Sequence, residues 1–345
     1  MKCFYSPTQA LHAPVSELNR GVLGTPFEAP SRAGTVTAAL TAAGFEPPKA
    51  PSVFPDALVE RVHAPDFVEF LRTAHDEWLA LGRKDSDALP MCWPGTTMFP
   101  PRAGASLDAK LGHYCFDIMT PITATTWVAA RASVDSALSG ADLLATGKGR
   151  SAFALCRPPG HHAGIAAYGG YCYLNSAAVA AQYLRDQGAR QVAIFDPDYH
   201  HGNGSQQIFY ARDDVLYVSI HGNPLTEFPF YSGFRDEVGT EAGEGANLNL
   251  PLPRGTGWPQ WSEALGTAIE TIERYGADAL VVSLGVDSLE GDPLCHFRLA
   301  ADDFARIGQR IAALRLPTLF VLEGGYQLDE IGRNVVRALE GFAHG

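Results

Sequence analysis

Residues Gln191–Gly204 read QVAIFDPDYHHGNG, an apolar run that stops abruptly in acids, imidazoles and glycine. A short continuous apolar run, Gln191–Phe195, is the pattern of a strand buried on both faces, and the polar residues after it then sit at the strand's carboxyl end. The same design recurs. Ser151–Cys156 runs into Arg157-Pro158-Pro159-Gly160-His161-His162, Ala279–Gly285 into Val286-Asp287-Ser288, and Pro317–Leu322 into Glu323-Gly324-Gly325-Tyr326, with a fifth apolar run at Val215–His221. Helical patterns at Asn175–Gln187, Gln260–Tyr275, Asp302–Leu314 and Asp329–Phe342 alternate with these runs. Strands alternating with helices predict an α/β fold of a single domain, residues 1–345, whose mainly parallel sheet is flanked by helices on both faces. In such sheets ligands bind beyond the carboxyl ends of the strands, so the polar residues should converge on one edge.

Upstream of residue 150 the pattern is less regular. Asp56–Arg83 reads as two helices interrupted at Pro65, and Thr123–Ala145 as an Ala-rich helix. Between them, at about 84–122, helical periodicity is lost among prolines, which predicts a long functional loop region.

The chain has 345 residues, 46% of them hydrophobic, and a net charge of −12. That balance argues against a broad grip on nucleic acid and suits attraction of cationic ligands. No apolar stretch approaches a membrane span, and Met1–Pro7 lacks leader character, so a cytoplasmic location is expected. The six cysteines form no CxxC pair and read as free thiols.

The spacing Asp198-x-His200 lets a carboxylate and an imidazole grip one ion, because alternate residues of an extended segment point the same way. A third ligand must come from another strand end. Asp287 is the best-placed acid and Glu323 the alternative. Two carboxylates and one imidazole leave an open position, as a catalytic metal needs; zinc is the first choice, and iron(II), cobalt or manganese also suit such donors.

The motifs RPPGHHA (Arg157–Ala163), GGYCYLN (Gly169–Asn175), DPDYHHGNG (Asp196–Gly204), SLGVDSLEGDP (Ser283–Pro293) and LEGGY (Leu322–Tyr326), with PFEAP at Pro26–Pro30, resemble the arginase–deacetylase superfamily. Within it the chain is most similar to the zinc-dependent histone deacetylases and, among those, the acetylpolyamine amidohydrolases. The resemblance implies zinc held by Asp198, His200 and Asp287, with His161 and His162 as a tandem catalytic pair. It implies that Tyr326 polarises the substrate carbonyl, that Asp196 backs His161, and that Asn203 hydrogen-bonds His162 where many histone deacetylases carry Asp. It further implies potassium at Asp196, Asp198, His200, Ser219 and the Ile220 carbonyl, and a second potassium near Phe209, Arg212 and Val215. Tyr171 and Gly170 would border the acyl tunnel, and Glu17 would meet a distal ammonium at its rim. Where the polyamine enzymes are expected to carry an acid, this chain has Met119, with Asp117 close by. The stretch His113–Asp117 would join a homodimer interface that narrows the tunnel.

The expected activity is therefore zinc-dependent deacetylation of acetylated polyamines or related small cationic acylated amines, with no nucleic-acid or membrane partner. The alternatives are an acetyl-lysine deacetylase, a binuclear manganese ureohydrolase, and a non-catalytic acyl-amine binding protein.

Overall fold

Seven strands hydrogen-bond side by side in the order β1-β4-β9-β8-β5-β6-β7, every neighbouring pair parallel. They are β1 (Lys2–Phe4), β4 (Ser151–Ala154), β5 (Val192–Asp196), β6 (Val215–Gly222), β7 (Asn247–Leu252), β8 (Ala279–Leu284) and β9 (Thr318–Leu322). A separate antiparallel hairpin pairs β2 (Glu17–Asn19) with β3 (Val22–Gly24). The computed structural model describes residues 1–84 and 86–345; residue 85, within the expected loop region, lies outside the described residues.

The β5 register shows why continuous apolar runs were needed. Val192 and Ile194 enter one core with α4 (Thr126–Ala145) and α5 (Ser176–Asp186), while Ala193 and Phe195 enter the other with α1 (Ser31–Ala42), α7 (Trp258–Tyr275), α8 (Ala301–Ala312) and α9 (Leu328–His344). Successive residues of a strand face opposite sides, so both faces of the sheet must be apolar. No described helix is long and apolar enough to cross a membrane.

Two expectations need correction. Asp56–Arg83 holds one α-helix, α2 (Pro65–Ala80), preceded by only a short 3-10 turn at Asp56–Leu58. Pro65 starts this helix rather than interrupting one, because in the first turn its missing N–H has no partner to lose. The region 84–122 contains α3 (Leu107–Tyr114), whose N-terminus is capped by the Ser106 hydroxyl. A short helix not assigned from the sequence, α6 (Asn203–Phe209), follows directly after the His-rich turn. The edge strands β1 and β7, the hairpin and α1 also went unread: β1 has three residues, β7 contains Pro251, and α1 carries a Gly and three Thr that blur its apolar face.

Candidate active site

The loops leaving β4, β9, β8 and β5 come from four consecutive central strands, so His161-His162, Tyr326, Asp287 and Asp198/His200 meet at one edge of the sheet. Ligand atoms of Asp198, His200 and Asp287 lie within 4.8 Å of one another. The turn achieves this differently from the expected extended segment. β5 ends at Asp196, and carboxylates then fold the chain: Asp196 Oδ1 accepts the Asp198 N–H at 3.2 Å and Asp198 Oδ1 accepts the His200 N–H at 2.9 Å. Tyr199 points into the opposite core, and its N–H donates to Asp287 Oδ1 at 2.8 Å, tying two strand ends together.

His200 Nδ1 stands 3.0 Å from Asp287 Oδ2 and 3.4 Å from Asp198 Oδ1. Both carboxylates are fully buried, and space for them is made by glycine. A Cβ on Gly285 would lie 2.0 Å from Asp198 Oδ2, and one on Gly324 2.6 Å from oxygens of both Asp198 and Asp287. The Gly324 N–H also donates to Asp198 Oδ2 at 2.8 Å. Two hard carboxylates and an imidazole converging without a lysine or arginine among them are the donor set of a divalent cation. Glu323, the alternative third ligand, belongs to a different grouping with His161 and Cys172. Its Oε2 accepts the N–H groups of Gly160 (2.6 Å) and His161 (3.1 Å), so it fixes the turn that carries the tandem histidines.

The two histidines of that turn are held in different protonation states. His161 Nδ1 is 3.0 Å from Asp196 Oδ2, which also accepts from the Tyr217 hydroxyl. Burial disfavours its imidazolium, but the charges of Asp196 and Asp198 outweigh that and push its pKa up to about 10. His162 Nδ1 is 2.7 Å from Asn203 Oδ1, a neutral acceptor. Burial, and then the neighbouring His161 and His200, hold His162 well below the ordinary histidine range. An amide oxygen at Nδ1 requires the proton there, which leaves Nε2 as a bare base.

Tyr326 remains a phenol, because burial pushes its pKa well up while Arg32 pulls only partly against it. Its N–H donates to Asp292 Oδ2 at 2.7 Å, and the Arg32 guanidinium lies 4.9 Å from its ring centre. Arg32 also binds the carbonyls of Glu323 (2.5 Å) and Gly325 (2.8 Å), and is paired with Glu28, which Arg157 pairs as well. Sequence reading missed both supports, although Asp292 lies inside the SLGVDSLEGDP motif and Glu28 inside PFEAP. It also missed Phe228, whose ring meets His162 at 5.1 Å and Phe116 at 6.0 Å.

The remaining expected residues lie in several different surroundings. Gly170 abuts His162, and the Tyr171 ring meets Tyr326 edge-on at 5.6 Å, so both border the site. Asp196 and Ser219 are register partners on β5 and β6 with Ile220 next along β6, while Phe209, Arg212 and Val215 lie where α6 leads into β6. Asp117 is not a rim acid: it is turned inward onto the N–H of Gly170 and Met119 and the Thr120 hydroxyl. Glu17 is likewise buried, not exposed. Of His113–Asp117, Tyr114 and Cys115 are core residues. His201 belongs to the core and packs against His221.

A model described as the histone deacetylase domain matches residues 26–342. Acetylpolyamine amidohydrolase 2 of Pseudomonas aeruginosa is 49% identical over 342 residues, covering 99% of this chain and 98% of its own. The acetylpolyamine amidohydrolase of Mycoplana ramosa is 46% identical over 343 residues, with 99% and 100% covered. The crystal structure of the acetylpolyamine aminohydrolase from Burkholderia pseudomallei matches with a TM-score of 0.94 at 41% identity, covering 99% of this chain and 98% of that one.

Proposed function

The chain belongs to the histone deacetylase domain family and is a deacetylase, and on that footing we propose that it removes the acetyl group from acetylated polyamines and related small cationic amines. The observation that carries the chemistry is the meeting of Asp198, His200 and Asp287 beside a neutral His162 and the Tyr326 phenol. In this reading Asp198, His200 and Asp287 hold zinc, or iron(II), cobalt or manganese in its place. A cation bound there supplies Lewis acidity, lowering the pKa of a water and drawing charge from the amide oxygen.

The chain's own groups perform the proton transfers. His162 Nε2 takes the proton of the attacking water and returns it to the departing amine nitrogen. His161, kept cationic by Asp196, lowers the energy of nearby negative charge without moving a proton. Tyr326 donates its O–H to the amide oxygen as charge accumulates there. Potassium at Asp196, Asp198, His200, Ser219 and the Ile220 carbonyl, and near Phe209, Arg212 and Val215, belongs to the same reading. A homodimer through the region 84–122 is supported by the exposed Met91, Met98 and Phe99, and a cytoplasmic location by six unpaired cysteines.

Side-by-side turnover of acetylputrescine, acetylcadaverine, acetylspermidine and an acetyl-lysine peptide tests the substrate. The small amines are expected to lead, and a lead for the peptide would transfer the reading to a protein deacetylase. Metal counting tests the site: two divalent ions per chain, rather than one, would favour the binuclear ureohydrolase alternative.

Asn203 offers a further check. An Asn203→Asp variant places a carboxylate on His162 Nδ1, which stabilises the imidazolium and raises the pKa of the base. Since the base works only when neutral, the acidic limb of the kcat/KM–pH profile should move to higher pH. An unmoved limb would remove Asn203 from this role.

A further inference from the structure

Tyr217, on β6, is buried, and its ring lies in the core shared with α4 and α5. Its hydroxyl leaves that core toward the site. The oxygen accepts the Gly202 N–H at 3.1 Å, and its proton is donated to Asp196 Oδ2 at 2.9 Å. Gly202 is pressed against this junction: a Cβ there would lie 2.4 Å from Asp196 Oδ2, 2.5 Å from the Tyr217 oxygen and 3.1 Å from His161 Nδ1. Only a residue without a side chain brings its backbone N–H that close.

The two residues joined by this hydroxyl stand behind the tandem histidines. Asp196 Oδ2 is also 3.0 Å from His161 Nδ1, and Asn203, next in the chain after Gly202, places its Oδ1 2.7 Å from His162 Nδ1. Each imidazole therefore hangs from its support through Nδ1, and both supports belong to the segment 196–203. That segment bends through the acid-rich turn, and Tyr217, from the neighbouring strand, bonds its beginning and its end at once. The two imidazole rings are 4.1 Å apart between centres and tilted by 46°. One is the base and the other a fixed cation, so their relative placement matters: a base acts only within hydrogen-bond reach of its proton, and a displacement of about 1 Å can cost 10²-fold in rate.

We propose that Tyr217 is a positioning residue for the proton transfers: by clamping Gly202 to Asp196, its hydroxyl sets the placement of His161, through Asp196, against that of His162, through Asn203. This inference rests on the deacetylase reading above and adds to its site a residue that acts through others. Without the hydroxyl, Asp196 Oδ2 loses one of its donors and the Gly202 N–H is left buried without this acceptor. Both ends of the turn are then free to move, while the Tyr326 clamp, built from Asp292 and Arg32, is untouched.

The test uses the full-length zinc-loaded enzyme, Tyr217→Phe, Gly202→Ala and the double variant. Tyr217→Phe removes the hydroxyl and keeps the ring; Gly202→Ala keeps the hydroxyl and wedges the clamp open. On whichever of N-acetylputrescine, N-acetylcadaverine, N-acetylspermidine and an acetyl-lysine peptide the parent cleaves fastest, each single variant should lose about 10–100-fold in kcat, the scale of an outer hydrogen-bond partner, with KM and zinc content little changed. The double variant should lose no more than the more damaging single change, because both break one clamp. In protein carrying isotope-labelled histidine, the imidazole N–H signals of both His161 and His162 should move in Tyr217→Phe. An unchanged kcat, unmoved N–H signals, additive losses, or a loss explained by missing zinc would each overturn the proposal. Failure of the parent to cleave any of these amides would overturn the deacetylase reading, and this inference with it; the N–H signals separate the two failures, because they report the clamp without turnover.

Discussion

Replacing Tyr326 with phenylalanine is expected to lower kcat about 10²- to 10³-fold, the scale of losing one donor to a developing oxyanion. The expectation rests on how the structure separates the hydroxyl from the rest of the side chain. The Tyr326 backbone is held by Asp292, and its ring is flanked by Arg32 on one side and Tyr171 on another. None of these contacts uses the hydroxyl. The variant should therefore keep its fold, its metal content and a KM close to that of the parent, and lose the step in which charge appears on oxygen. Metal analysis alongside steady-state kinetics checks this, and full activity in Tyr326→Phe would remove the residue from the chemistry.

An Asp287→Asn variant should lose both bound metal and turnover, by well over the roughly 10–100-fold that loss of a mere outer partner costs a metal site. Asp287 contributes one of two buried carboxylates facing His200 Nδ1, so the amide removes charge as well as a donor atom. Stability should change the other way. Burial, reinforced by Asp198, raises the Asp287 pKa in the folded protein. A group that binds its proton more tightly when folded withdraws stability as pH rises from the ordinary carboxylate range through its raised value. Asn has no proton to lose there. Metal-stripped Asp287→Asn should thus melt no lower than metal-stripped parent at and above neutral pH, and higher if its remaining contact to the Tyr199 N–H persists. A variant that retained stoichiometric metal would show that the ion is held elsewhere.

The central sheet was legible because β5, β6, β8 and β9 are buried on both faces, and burial on both faces leaves an uninterrupted apolar run. The runs end where the backbone leaves the core, so the polar residues that follow were already marked as neighbours in space. Edge strands escaped notice for the converse reason: β7 alternates and includes a proline, as a half-covered strand can. Pro65 was misread because one residue type both ends and begins helices, and only the preceding chain path tells the two apart.

Amino-acid order alone determined that acids and imidazoles would sit at the carboxyl ends of buried strands, since hydrophobic patterning is a local property carried by each segment. Tertiary structure alone decided which of them face one another. The inward turn of Asp117, the engagement of Glu323 with the backbone of the histidine turn, the clamp of Asp292 and Arg32 on Tyr326, and the placement of Glu17 behind Tyr171 all join residues from separate segments. The direction in which a carboxylate points, and hence its charge state, depends on donors brought to it by the rest of the fold.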